Sequence, residues 1–433
     1  MEKNSIGIGL LGLGVISGQV ARVLRDKAEE LAGAVGIPLV LKKIKVLPQD
    51  LERPLVKEFE RSLFTTDDDE FFNTPGIDII IEAIGGEHPA FEYHQRAIQA
   101  GKYVVTSNKE VIAKRGAELF SLAEKHGVNV RFEASVGGGI PLISPFIFDL
   151  VANKINGIYA IINGTTNYIL TRMANEGLDF RVALKDAQKL GYAEANPRDD
   201  VEGIDATYKL AIMSSLGFHT SIGPQDIHHE GISKLSSRDF RYAQELGFAI
   251  KLLAIAKNDT NGIEVRVHPV LISQESLLAK VDGVYNAVLV EGDLVGKVMF
   301  YGRGAGPNPT SSAIIADVTS VAQDIIFKSG ARVHLVTAPK HVKPMSDVIT
   351  RYYIRMTTPD RAGVITQITR VLGDNNISIS AMVQKEADSN TQSAEIVIMT
   401  HDASEAAVQK ALQEMAGLEA VKEISNFIRV EDL

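Results

Sequence analysis

Two rhythms of apolar and polar positions divide this chain. Near its start, Ser5–Leu11 (SIGIGLL) is a short apolar run that ends in Gly12-Leu13-Gly14-Val15-Ile16-Ser17-Gly18. Apolar residues then recur at helical spacing through Val20, Val23, Leu24 and Leu31, so a strand, a glycine turn and a helix are predicted. Leu39–Leu47 supplies a second strand. Ile77–Ala83 (IDIIIEA) is continuously apolar, as in a parallel sheet covered on both faces, and runs into Ile84-Gly85-Gly86. A helix near Pro89–Ala100, a strand Tyr103–Thr106, a helix from Lys109 to about His126 and a strand Asn129–Glu133 follow. Strand and helix in alternation predict a doubly wound α/β sheet.

Past Pro141 the rhythm changes. Ile155–Ile162 reads as a strand, followed by the polar turn Asn163-Gly164-Thr165-Thr166-Asn167-Tyr168 and a helix. A helix Phe180–Leu190 leads to Gly191–Lys209. From Ile204 to Phe218 (IDATYKLAIMSSLGF) the chain is apolar nearly all round, which predicts a buried helix. Ile263–Ser273 and Tyr285–Met299 alternate as antiparallel strands do. A glycine turn, Phe300-Tyr301-Gly302-Arg303-Gly304-Ala305-Gly306, precedes a helix Thr310–Phe327. Val336–Val348, with Pro339 and Pro344, reads as a linker. Beyond it the predicted order is strand Tyr352–Thr357, helix to Gly373, strands Ile377–Val383 and Ala394–Thr400, helix Ser404–Met415 and strand Ala420–Arg429. That βαββαβ order is ferredoxin-like.

Composition narrows the class. A chain of 433 residues holds two or three domains. Its net charge of −9 argues against nucleic acid as a partner. Cysteine is absent, so disulfides and thiolate metal sites are excluded. No apolar run reaches membrane-spanning length, and the N-terminus enters a strand directly without a signal peptide. A cytoplasmic, membrane-free protein is expected.

Candidate chemistry gathers in a few stretches. The first glycine turn has the context of a dinucleotide fingerprint: Gly12 permits the turn, and Gly14 lets a pyrophosphate reach the helix N-terminus. Ser17 stands at the third glycine position, with Gly18 beside it. The second strand ends in Val46-Leu47-Pro48-Gln49, with no acid for a ribose hydroxyl, while Lys45 and Arg53 would suit a 2′-phosphate. Solvated cations give the same pattern. Lys109 stands at the carboxyl end of a strand, where doubly wound sheets bind ligands. Asp205 and Lys209 are the charges of the apolar helix, four apart and on one face with Val201, Tyr208, Ile212 and Leu216. A surface ion pair is the ordinary fate of that spacing. Among apolar neighbours it reads instead as a buried acid–base lysine with its orienting carboxylate. His228-His229-Glu230 lacks a third donor at a useful spacing and reads as a solvated loop.

One stretch carries a resemblance. Ala187-x-x-x-Gly191-Tyr192-Ala193, then Asn196-Pro197-x-x-Asp200-Val201-x-Gly203-x-Asp205-x-x-x-Lys209, resembles the signature of homoserine dehydrogenases. Ser107-Asn108-Lys109 is similar to the family's Thr-Ala-Asn-Lys, with Ser107 for Ala. Phe132–Pro141 resembles its Phe-Glu-Ala-Ser-Val-Ala-Gly-Gly-Ile-Pro, with Gly137 for Ala. The Asn163–Asn167 motif matches in full. The turn at Gly302–Gly306 has Arg303 where the family has Pro, and Asp360-Arg361-Ala362-Gly363 with Asn376–Ile379 resembles an ACT domain.

The resemblance spans essentially the whole chain. It implies NAD(P)-dependent interconversion of L-aspartate 4-semialdehyde and L-homoserine, in the biosynthesis of threonine, methionine and isoleucine. Lys209 and Lys109 are then the catalytic cations, with Asp205 orienting them. Glu194, Asp200, Gly164, Thr165 and Tyr192 meet the substrate, and Glu194 takes its ammonium group. Gly12, Leu13, Gly14, Val15, Ile16, Gly85, Gly86, Lys109, Arg53 and Gly306 meet the cofactor, NADP(H) in preference to NAD(H). Carbonyls of Glu133, Val136, Gly138 and Ile140 hold a monovalent cation, typically Na⁺. The expected architecture is a Rossmann-type domain over 1–135, rejoined by 307–335. An α+β substrate and dimerisation domain covers 136–306, a linker 336–349 and an ACT regulatory domain 350–433. A homodimer or homotetramer with L-threonine as effector is implied. An oxidoreductase for another amino-acid aldehyde would change the contacts of Glu194. A non-catalytic nucleotide and amino-acid sensor would lack the acid.

Overall fold

The computed structural model describes residues 3–328, 341–385 and 392–433, which form two compact units. Residues 336–340 of the expected linker and 329–335 of the expected returning segment lie outside the described residues.

The first unit comprises residues 1–155, 208–225 and 291–339. Its sheet contains β1 (Ile6–Leu11), β2 (Leu39–Lys45), β3 (Phe64–Thr65), β4 (Ile79–Glu82), β5 (Tyr103–Thr106) and β6 (Val130–Arg131), in the order β3-β2-β1-β4-β5-β6. All neighbours are parallel. Every residue of β1 and β4 is buried, which is why both read as unbroken apolar runs. Helices α1 (Val15–Asp26), α2 (Ala28–Val35), α3 (Asp68–Asn73), α4 (Ala90–Gln99) and α5 (Lys109–His126) connect them. The strand expected over Asn129–Glu133 is only two residues long, because Glu133–Ser135 turns into a 3₁₀ helix.

The second unit comprises 156–207, 226–290 and 340–433. Its strands are β7 (Ile155–Ile161), β8 (His228–His229), β9 (Phe248–Asp259), β10 (Gly262–Ser273) and β11 (Tyr285–Gly292). The chain passes through β12 (Gly296–Arg303) and returns with β13 (Ile349–Pro359), β14 (Ile379–Gln384), β15 (Ser393–Thr400), β16 (Ala403–Ser404) and β17 (Glu423–Glu431). Neighbouring strands follow the order β11-β7-β9-β10-β17-β13-β15-β14 across one sheet. Helices α6 (Gly164–Glu176), α7 (Phe180–Lys189), α8 (Arg198–Val201), α9 (Ile204–Phe218) and α10 (Ser237–Glu245) belong to its first half, α9 continuing into the other unit. The last long helix before the C-terminal module is α11 (Pro307–Phe327), whose Ile314, Val318 and Val321 join the core formed by Ile6, Ile8 and Val20.

In the C-terminal module, α12 (Val364–Asp374) and α13 (Glu405–Ala416) pack on the strands through Ile368, Leu372, Val408 and Ala411, in the βαββαβ order expected. The stretch 341–348 is less free than its proline content suggests: Val342 bridges Ile263, and the Lys343 ammonium lies 2.7 Å from Asp259.

The module's last strand joins the first half of this unit directly. β17 pairs in parallel with β10 through Val270↔Arg429, Leu271↔Val430 and Ile272↔Glu431. Charges line this joint. The Arg429 guanidinium donates to Glu405 (2.6 and 2.8 Å) and to Glu230 (2.8 Å). Arg266 donates to Glu431 and Glu264 (both 2.7 Å). Burial, reinforced by Arg429 and Arg266, pushes the buried His268 well below the usual imidazole range, so it is neutral.

Burial works against ionising Glu230 and Glu405, yet their hydrogen bonds and the Arg429 charge hold both carboxyls below the ordinary range. A depressed carboxyl stabilises the fold above its unfolded pKa, about 4.3, and loses that contribution as pH falls through the folded value. Arg429→Ala leaves two carboxylates without their cation, and an expected cost of about 3–5 kcal/mol follows. Scanning calorimetry at pH 7 should show the variant's first transition well below wild type. The gap should shrink as pH is taken below about 4.

Candidate active site

The glycine turn after β1 is built for close approach. Gly12 has φ +91°, and a Cβ there would lie 2.7 Å from Cγ2 of Ile84. Gly14 caps α1, and a Cβ on it would meet nothing within 4 Å, so its backbone is open. Leu13 is buried beneath the turn, whereas Val15 is exposed and Ile16 half-buried at the head of α1. Beside the turn is a cavity of about 320 Å³ lined by Gly12, Gly14, Lys45, Asp50, Arg53, Gly85 and Tyr93 among others. Bare N–H groups at a helix N-terminus beside such a cavity fit a dinucleotide's pyrophosphate. Gly18 packs α1 instead, since a Cβ there would come within 2.3 Å of Leu55.

The ribose end differs from the sequence expectation. An acid does line it: Asp50, one residue past Gln49, on the 3₁₀ turn Pro48–Glu52. Its carboxylate accepts from the Leu47 N–H (3.2 Å) and pairs with Arg53 Nε (2.9 Å). Arg53 also donates to the Leu13 carbonyl at 2.8 Å, tying this end to the glycine turn. Lys45 lies 2.9 Å from Asp68, which also receives the Tyr93 hydroxyl (2.9 Å).

Lys109 is positioned by a network the sequence does not advertise. The Glu82 carboxylate, fully buried at the end of β4, accepts from Ile84 N–H (2.7 Å), Gly85 N–H (3.3 Å) and the Thr106 hydroxyl (2.6 Å), with His94 Nε2 at 3.0 Å. Thr106 in turn accepts from Asn108 N–H (2.9 Å). The Asn108 side chain caps α5 by accepting from Val111 N–H (3.1 Å), and its amide donates to the Gly86 carbonyl (2.7 Å). One buried carboxylate therefore sets both the Ile84–Gly86 loop and the helix start that bears Lys109.

The Glu133–Ile140 loop is equally constrained. Glu133's carboxylate accepts from the N–H groups of Leu142 (2.6 Å), Ile143 (2.9 Å) and Ser144 (2.7 Å), so its side chain is a loop clamp. Any ligation by Glu133 falls to its carbonyl. Gly137 and Gly138 are left-handed, with φ +74° and +56°. A Cβ on Gly138 would lie 2.5 Å from the Gly304 carbonyl, so the loop packs on the second glycine turn, which ends at Gly306 (φ +121°) capping α11. Val136 and Ile140 are buried at its two ends. Asp317 accepts the Glu133 N–H (2.8 Å). Burial and then the Glu133 charge push its carboxyl up to about 7.

In the second unit, one amide gathers two of the carboxylates expected at the site. Asn163 caps α6 by accepting from Thr166 N–H (2.9 Å). Its amide donates to Asp200 (2.6 Å) and to Asp205 (2.9 Å). Gly164 and Thr165 form the first turn of α6, and the Thr165 hydroxyl donates to the Tyr192 carbonyl (2.7 Å). The Tyr192 ring lies 4.9 Å from that of Tyr168. Glu194 is exposed on the same loop, and Asp205 is buried. Asp205 and Lys209 occupy successive turns of α9, as expected, but Lys209 is half-buried. The backbone units divide the site residues: Lys109 and Lys209 fall in the first, and Glu194, Asp200 and Asp205 in the second.

The His228–Glu230 stretch departs from a plain solvated loop. Both histidines are exposed, but Glu230 is half-buried between His228 and Arg429 (each 2.8 Å) because it closes the seam between β10 and β17.

Comparison with known proteins gives the family. Residues 12–133 match the family model described as homoserine dehydrogenase, NAD binding domain, residues 141–319 that of homoserine dehydrogenase, and residues 352–420 that of the ACT domain. A homoserine dehydrogenase of Neisseria gonorrhoeae is 43% identical, with 99% of each chain covered. The crystal structure of a homoserine dehydrogenase from Thiobacillus denitrificans superposes with a TM-score of 0.92 at 43% identity, over 99% of this chain and 98% of that one. A hyperthermophilic archaeal homoserine dehydrogenase in complex with NADPH gives 0.62 at 26% identity, over 73% of this chain and 97% of that one.

Asn108→Ala removes both the α5 cap and the Gly86 tether. A cap is worth about 1 kcal/mol. The expected result is a rise of severalfold in the KM for the nicotinamide cofactor, together with a smaller fall in kcat. Steady-state kinetics with the cofactor varied would check it; an unchanged KM would separate the loop from cofactor binding.

Proposed function

Because the chain belongs to the homoserine dehydrogenase family, an NAD(P)-dependent oxidoreductase that interconverts L-aspartate 4-semialdehyde and L-homoserine, we propose that its reaction is carried by Lys209, Lys109 and Asp205. The observation behind this reading is the entry to α9. Asp205 is buried there, held by the Asn163 amide, one helical turn before Lys209. A carboxylate so fixed can hold a neighbouring ammonium in place.

When bound, the nicotinamide supplies or accepts the hydride. Lys209 donates a proton to the aldehyde oxygen as it becomes an alkoxide, and takes it back from the hydroxyl in reverse. Lys109 places a second positive charge on that oxygen. Glu194 takes the substrate's ammonium, with Asp200 beside it on the Asn163 amide. The first turn of α6, at Gly164 and Thr165, offers N–H groups to the substrate's carboxylate, and Thr165 fixes the Tyr192 loop. At the cofactor end, Gly12 through Ile16 hold the pyrophosphate, and Gly85, Gly86 and Gly306 border the nicotinamide half. NADP(H) is the preferred cofactor, with Arg53 leaving Asp50 to meet the 2′-phosphate and NAD(H) as the alternative. The carbonyls of Glu133, Val136, Gly138 and Ile140 would hold Na⁺, as hard oxygen donors on a loop already fixed by its clamp. The domains are those read from the sequence: 1–135 with 307–335 for the nucleotide, 136–306 for the substrate, and 350–433 as an ACT module sensing L-threonine in a homodimer or homotetramer.

Lys209→Ala should lower kcat by about 10²- to 10⁴-fold while NADPH binding, followed by fluorescence, stays at the wild-type level. A change confined to substrate affinity would remove Lys209 as proton donor. Glu194→Asp should raise the KM for L-aspartate 4-semialdehyde more than it lowers kcat. For the cofactor, Arg53→Ala should cut the NADPH-to-NADH ratio of kcat/KM about tenfold, and Asp50→Ala should raise it. Parallel assays with the two reduced cofactors measure both ratios.

A further inference from the structure

The head of α6 is pressed against the start of β11, within the second unit. A Cβ on Gly164 would lie 2.7 Å from the Val284 carbonyl oxygen and 3.6 Å from Oδ1 of Asn286. Asn286 is only 1% exposed, and neither its oxygen nor its nitrogen has a hydrogen-bond partner. Buried side-chain amides are nearly always paired, so an unspent one asks for a ligand or a trapped water.

The backbone leading to Asn286 is firmly held. The Asn167 amide donates to the carbonyls of Val281 (3.1 Å) and Tyr285 (3.0 Å). The Lys251 ammonium donates to the Val281 carbonyl (2.6 Å) and to Asp282 (3.0 Å). The Thr171 hydroxyl accepts the Gly283 N–H (3.0 Å). These bonds pin the 281–285 turn to α6 and β9. Asn286 is thus carried to the head of α6 by its neighbours, and its own amide is left over.

The chemistry of this place suits a carboxylate. Gly164 and Thr165 are half-buried at the N-terminus of a 13-residue helix, where forward-pointing N–H groups and the dipole favour an anion. The Asn163 cap takes the Thr166 N–H, one residue further on. The nearby acids Asp200 and Asp205 are taken up by the Asn163 amide. A half-turn of the Asn286 amide exchanges its oxygen and its NH₂ in the same space, so a donor can face the helix head.

We propose that Asn286 is a specificity residue whose amide donates to the substrate's α-carboxylate, alongside the N–H groups of Gly164 and Thr165. The proposal rests on the reading of the α6 head as the seat of that carboxylate. A buried donor left unpaired rejects a substrate that lacks the acceptor, so the residue selects for the free acid. The test is steady-state oxidation of L-homoserine with NADP⁺ by the full-length chain, compared with L-homoserinamide, which has a carboxamide in place of the carboxylate. Asn286→Leu has nearly the same shape without polar atoms. It should raise the KM for L-homoserine about tenfold, with kcat within about threefold and the KM for NADP⁺ within about twofold of wild type. Its preference for the acid over the amide should fall by about fivefold or more, taken from kcat/KM or, where the amide turns over too slowly, from its inhibition constant. Because hydrocarbon replaces an unpaired buried amide, the melting temperature without substrate should stay at or above that of wild type. Asn286→Ser reads the same split of KM from kcat if the leucine variant does not fold. A wild-type KM and preference in both variants would overturn the assignment and leave an ordered water as the amide's partner, with the α6 reading in place. A lower melting temperature with equal losses on acid and amide would also overturn it, making Asn286 a structural residue. A wild-type chain that oxidises L-homoserine yet takes the amide equally well would overturn the carboxylate seat and this proposal together.

Discussion

Three helices are set by one side-chain amide. The oxygen of Asn163 caps α6, and its two hydrogens go to Asp200 at the end of α8 and Asp205 at the start of α9. Asp205 is only 4% exposed, so its charge needs donors inside the protein. Replacing Asn163 by aspartate would set a third carboxylate against the other two, and an alanine would leave them without these bonds. Asparagine satisfies the demand because it is at once acceptor for a helix N–H and donor to two acids. The start of α6 and the α8–α9 junction can therefore be rigid without being apolar.

The first unit solves the same problem with the polarity reversed. There the organising groups are buried carboxylates, and the partners are backbone N–H groups of the loops. Glu82 gathers Ile84, Gly85 and Thr106, and Glu133 gathers Leu142, Ile143 and Ser144. Charge-assisted bonds of this kind are shorter and stronger than neutral ones, and they fix glycine-rich loops that have no side chains of their own to pack. Such loops can then lie against a ligand with bare backbone and still hold their shape.

How much of this could be read in the sequence depends on whether the pattern is local. The parallel sheet was legible because strands buried on both faces are apolar without interruption, as in Ile79–Glu82. The C-terminal βαββαβ order was legible for a similar reason: each element has its own periodicity. Strand β9 (Phe248–Asp259) was not read, since a long buried run gives no period to separate strand from helix. Asp50 was missed by one residue, because the strand's end is set by a 3₁₀ turn rather than by composition. Glu82 lay inside a run read as continuously apolar, and its side-chain partners Thr106 and His94 are well separated from it in sequence. Motif matching picked out Lys209, Asp205 and Glu194, but nothing local reveals that Asn163 reaches two acids some forty residues on.

The seam between β10 and β17 shows why a buried ion cluster belongs where it is. Parallel pairing there spans three residues on each strand, too short a ladder to define its own register. A slip by one residue would turn Arg429 and Glu431 to the opposite face. Arg429 would then lose Glu230, and Glu431 would lose Arg266 and Lys257. Buried pairs of this kind add little net stability when compared with apolar residues of the same shape, but breaking one is costly. The cluster therefore penalises every register except one. Because Glu230 belongs to that cluster and the next two residues rest on the Val201 carbonyl, the register of the C-terminal module and the backbone beside Asp200 are tied through one short segment.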